Sequence, residues 1–73
     1  MPRITWVFTL SDPRVQVDLL HEFALHDGVV ATCDVVDGAP AIRVVTQDAV
    51  STLWDIRATV GMFDDRARER RVQ

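Results

Sequence analysis

Residues 29 to 46 read Val-Val-Ala-Thr-Cys-Asp-Val-Val-Asp-Gly-Ala-Pro-Ala-Ile-Arg-Val-Val-Thr. Two runs rich in β-branched side chains, 29–36 and 41–46, lie on either side of Asp37-Gly38, and this arrangement predicts a β-hairpin. Ala39 and Pro40 lengthen the connection, so the expected turn is a loop of three to four residues. Alternation puts Val29, Ala31, Cys33 and Val35 on one side of the first hairpin strand and Val30, Thr32, Asp34 and Val36 on the other. Both sides carry apolar residues. A helix layer can cover only one of them, and an apolar face left over on so short a chain is the mark of an interface.

Upstream, residues 4–10 alternate, with Ile4, Trp6, Phe8 and Leu10 on one face and Thr5, Val7 and Thr9 on the other, which predicts a strand with one buried face. Ser11-Asp12-Pro13 follows. A side-chain oxygen there can accept from a free helix N–H, and Pro13 suits a first helical position. Val15, Leu19, Leu20, Phe23 and Ala24 then recur at helical spacing up to about His26, and Gly28 closes the helix. Downstream, Thr46-Gln47-Asp48 is a second capping signal before Ala49, Val50, Leu53, Trp54, Arg57 and Val60, a helix expected to end near Gly61. Met62-Phe63 is an apolar anchor. The rest forms an arginine-dense tail, 64–73, with three readings: a strand at the sheet edge, a short helix or a frayed end. Residues 1–63 thus form a single domain and 64–73 an Arg-rich C-terminal tail or edge strand. The order predicts an α+β fold, a ferredoxin-like βαββα(β) plait with an antiparallel sheet and two helices on one face.

The chain has 73 residues, 48% hydrophobic and 26% charged, the composition of an ordinary folded domain. A domain this small is hard to stabilise by its core alone, and disulfides, metals or partner chains commonly make up the difference. A single cysteine, Cys33, excludes an internal disulfide, and no Cys/His cluster has metal-ligand spacing. A partner chain remains, and a homodimer or docking on a larger protein is expected. Net charge is −3 and pI about 5.1, which argues against general attraction to nucleic acid. No apolar run is long enough for a bilayer and no leader pattern opens the chain, so a cytoplasmic location is expected.

The stretch Leu19-Leu20-His21-Glu22-Phe23-Ala24-Leu25-His26-Asp27-Gly28-Val29-Val30 resembles the ACT family of regulatory domains, in which the first helix ends in a Phe-Ala pair before a Gly and the next strand. The segment from Val29 to Ala49, with Gly38 in the hairpin and Asp48 opening the second helix, is similar to both the ACT and the RAM families. In layout the resemblance covers residues 4 to 61. It implies a ferredoxin-like module that senses a small molecule, such as an amino acid, without catalysing a reaction. Its ligand site would fall on Ser11, Asp12 and Arg14, with Arg14 holding a carboxylate near the helix N-terminus. ACT domains that bind amino acids carry Pro-Gly in this loop; here Pro13 is followed by Arg14, whose Cβ crowds a close approach.

Other constellations point to structure. His21 and His26, five apart, lie about 140° apart around a helix, so no metal site is expected. Cys33 has no activating base nearby in sequence and reads as structural. Asp34 and Asp37 flank the hairpin turn, and Asp64-Asp65 open the tail; both pairs read as turn formers or solvated edges. Trp6 and Trp54 read as core or interface residues. In an extended tail, Arg66, Arg68 and Arg70 would share a side, and together with Arg71 they could meet phosphate, nucleic acid or an acidic patch. The leading expectation is a non-enzymatic regulatory or interaction module without a cofactor, acting as a homodimer and binding a small molecule or a larger protein. The alternative is a nucleic-acid accessory factor using the arginine tail.

Overall fold

The computed structural model describes the backbone of residues 3–47 and 50–72 and the side chains of residues 3–46 and 55–70. Its elements are β1 (Arg3–Thr9), α1 (Pro13–Phe23), β2 (Val29–Val36), β3 (Ala39–Gln47), α2 (Val50–Phe63) and β4 (Arg68–Val72). Asp48 and the side chains of Val50, Leu53, Trp54 and Arg71 lie outside the described residues. The four strands form one antiparallel sheet in the order β2-β3-β1-β4. The tail is therefore the strand among its three readings: β4 pairs with β1 at the sheet edge, Thr9 opposite Arg68 and Phe8 opposite Glu69.

Directly opposed residues of antiparallel strands share a face. Trp6 lies opposite Val44, Phe8 opposite Ile42, and Ala31 also opposite Val44, so these side chains line one side of the sheet. Both helices cover that side. Leu19 and Phe23 of α1, four residues apart, and Ile56 and Val60 of α2, also four apart, join Trp6, Phe8, Leu10, Ile42 and Val44 in one buried cluster. Leu19, Ile42 and Val44 are fully buried. No described helix is long and apolar enough to cross a membrane.

Three boundaries differ from the sequence reading. The hairpin turn is Asp37-Gly38 alone, with φ of 51° and 77°, and Ala39 and Pro40 belong to β3. Positive φ at both central residues is the two-residue hairpin geometry that Asp-Gly favours. Pro40 is accommodated because its carbonyl turns toward β1, accepting from the Leu10 N–H at 2.8 Å, so its missing N–H costs β2 nothing. Helix α1 ends at Phe23 instead of His26: the Leu25 and His26 N–H groups donate to the Glu22 and Phe23 carbonyls, a tighter turn than the helix. Helix α2 runs through Gly61 to Phe63.

Candidate functional site

The start of α1 was the first candidate. Asp12 is the N-cap, its Oδ1 accepting from the Arg14 N–H at 2.8 Å, and its Oδ2 pairs with the Arg14 guanidinium at 2.9 Å. The Arg14 side-chain bond, followed by its backbone bond, holds the Asp12 carboxyl below the ordinary aspartate range. Ser11 is tied elsewhere. Its N–H donates to Asp64 Oδ2 at 2.7 Å and its hydroxyl to Asp64 Oδ1 at 2.9 Å. Ser11, Asp12 and Arg14 thus adjoin one another, but each is engaged in capping α1 or in fastening it to the segment before β4.

Asp64 departs from the solvated-edge reading. It is only 6% exposed and also accepts from the Arg66 N–H at 3.0 Å. Burial pushes its carboxyl up; the bonds from the Ser11 N–H, the Arg66 N–H and the Ser11 hydroxyl outweigh burial and leave the group below its ordinary value. A second polar cluster lies along α2 and β4. The Arg57 guanidinium grips Glu69 at 2.6 and 3.1 Å and sits 6.0 Å from the centroid of the Trp6 ring. The ring of His26 meets Phe23 edge-on, and Cys33 is exposed on the edge strand β2. Among the described residues no three His, Cys, Asp or Glu side chains are grouped to hold a metal ion.

The remaining assembly is the side of the sheet away from the helices. The register places Arg3, Thr5, Val7 and Thr9 of β1 there, with Ala41, Arg43 and Val45 of β3, Val30, Thr32, Asp34 and Val36 of β2, and Arg68 and Arg70 of β4. Four arginines meet a single carboxylate, Asp34. That carboxylate pairs with Arg43 at 2.9 Å and accepts from the Val35 N–H, the larger of the two influences that lower its pKa. The other charged residues of the chain are four arginines and ten carboxylates. A chain of net charge −3 therefore concentrates its positive charge on one side of its sheet.

Val7 is 3% exposed although no described element packs on this face. Arg43 and Arg70 lie directly opposite it on the two neighbouring strands, and the methylene stems of arginines in such positions can cover an apolar neighbour. Val30 is 62% exposed. Of the tail arginines, Arg68 and Arg70 join the face, Arg66 lies in the turn before β4, and Arg71 is paired with Trp6 in register, its side chain outside the described residues. Arg3 and Arg43, which sequence reasoning did not connect with the tail, complete the set. Two shallow depressions, about 230 Å³ beside Arg3, Gly28 and Val45 and about 180 Å³ between α2 and β4, are smaller than the usual small-molecule pocket. No family model, curated protein or solved structure matches the chain.

Proposed function

We propose that the protein is a non-catalytic interaction module of the ferredoxin-like plait type, docking on a larger partner through the helix-free side of its sheet. The strand order supports the fold reading: from the other edge it runs β4-β1-β3-β2, with β3 separating β1 from β2 and β1 separating β3 from β4. Both β-α-β units are thus split in the manner of the plait.

One observation carries the docking reading: four of the eight arginines gather on the one sheet face that neither helix covers. Small-molecule sensing at Ser11, Asp12 and Arg14 is less well supported, because the charges of Asp12 and Arg14 neutralise each other and Ser11 is bound to Asp64. A second copy pressed face to face would set arginine against arginine across the two-fold axis. A different protein is the better occupant of this face.

The test is arginine footprinting with phenylglyoxal on the protein purified from its native source together with whatever accompanies it. Arg3, Arg68 and Arg70 should be shielded in the complex and reactive in the isolated chain, while Arg14 reacts equally in both. Shielding of Arg14 with continued reactivity of Arg68 and Arg70 would move the docking site to the helix layer and overturn the reading.

A further inference from the structure

We infer that the partner's contacting segment is an acidic polypeptide and not a nucleic acid, a deduction that rests on the docking reading above. The face combines two chemistries. Arg68 and Arg70 stand two residues apart on one strand, about 7 Å, and Arg70 and Arg43 flank Val7 across two strand spacings, about 10 Å. Between and beside them lie Val7, Val45, Val30 and three threonines, Thr5, Thr9 and Thr32, polar but uncharged, while Asp34 is already paired with Arg43. Carboxylates on alternate residues of an extended segment repeat at the same 7 Å or so, and they match guanidinium geometry in pairs. Apolar residues further along the same side of that segment would cover Val45 and the exposed Val30.

Single-stranded nucleic acid asks for something this face lacks. Binding without sequence preference relies on aromatic side chains that stack on bases. Among the described residues of the face there is no aromatic ring: Trp6 and Phe8 turn to the helix side, into the buried cluster. Duplex binding draws its affinity from many phosphate contacts, each releasing counterions, and this face offers four arginines of which Arg43 is already paired with Asp34. An acidic polypeptide is attracted by the face and held off by the rest of the surface, so charge also sets the orientation of docking.

The probe is fluorescently labelled poly-L-glutamate, compared with a single-stranded oligodeoxynucleotide of similar charge, by anisotropy at low ionic strength. Poly-L-glutamate should bind the intact chain more tightly than the oligonucleotide. The R68Q/R70Q variant should lose at least ten-fold in affinity, whereas R14Q/R66Q, with the same change in net charge, should lose less than two-fold. R3Q, a single change on β1, is the second variant should R68Q/R70Q disturb the edge strand, and it should lose about three-fold. Tighter binding of the oligonucleotide, equal losses in the two double variants or no binding of poly-L-glutamate would overturn the inference. Arginine shielding by the native partner alongside such a failure would leave the docking module standing and remove only its acidic partner.

Discussion

Replacing Asp64 by Asn changes one atom of a buried carboxylate and should cost more than its size suggests. Oδ1 accepts from the Ser11 hydroxyl and the Arg66 N–H, Oδ2 from the Ser11 N–H at 2.7 Å. An amide can keep its oxygen on the first two donors, but its NH2 then faces the Ser11 N–H, donor against donor. One charge-assisted hydrogen bond is lost, worth about 1.5–3 kcal/mol, and the surviving pair no longer involves an ion. A loss of about 2–3 kcal/mol, at about 4–8 °C per kcal/mol for a domain of this size, lowers the melting temperature by roughly 8–24 °C. D65N is the control, since Asp65 is exposed and should change stability by less than about 0.5 kcal/mol.

The pH dependence gives an independent check. The Asp64 carboxyl has a lowered pKa in the folded chain, so the folded state binds its proton less readily than the unfolded state. Its contribution is complete above the unfolded value of about 3.9 and is lost as pH falls through the lower folded value. Urea denaturation should show the gap between the natural chain and D64N to be constant from neutrality to about pH 5 and to close in more acidic solution. A D64N chain as stable as D65N at pH 7, or a gap that widens in acid, would refute the account of Asp64 as the tie between Ser11 and the start of β4.

Two further substitutions test the core and the hairpin. L19A removes a fully buried side chain from the cluster between α1 and the sheet and should cost about 3–5 kcal/mol by urea denaturation, a large part of the stability of so small a domain; a loss below about 1 kcal/mol would mean that α1 does not pack as described. G38A places a Cβ in open space, but at a φ of 77°, so the expected cost of about 1–2 kcal/mol is purely conformational and should appear without any change in the surrounding packing; stability equal to that of the natural chain would refute the two-residue turn.

The elements were legible where side-chain periodicity and local capping decide them. Alternation in 4–10 and 29–36, helical spacing from Val15 to Phe23 and the Asp12-Pro13 start all correspond to what forms. Local signals misled where one residue type serves two purposes. In sequence Ala39 and Pro40 lengthen the connection after Asp37-Gly38, yet Pro40 lies opposite Val35 with its carbonyl directed at β1. Gly61 read as a helix end, but it keeps no positive φ and α2 continues past it. Asp64 read as a surface turn former because nothing nearby in sequence shows that its partner is 53 residues away. The arginine face was half visible: the spacing of Arg68 and Arg70 was local, whereas Arg3 and Arg43 join them only through strand order and register.

Register is what ties the buried chemistry to the exposed face. Side chains alternate along a strand, so a slip of β4 by one residue against β1 would turn Glu69 to the uncovered side and take Arg68 and Arg70 away from it. Two contacts on the helix side oppose such a slip. Ala67 packs against the buried cluster just before the strand begins, and Glu69 is held by the Arg57 fork beside Trp6. The carboxylate of Asp64 adds a third restraint by fixing the turn that leads into β4 to the end of β1. None of these groups lies on the face that carries the arginines, yet together they decide which residues of β4 appear there. The half-exposed Arg57–Glu69 pair is worth only about 0.5–1 kcal/mol as a surface interaction. Its greater consequence is one of specificity: with Ala67 and Asp64 it helps to choose between two alternations of the same five residues, and so the charge of the uncovered face.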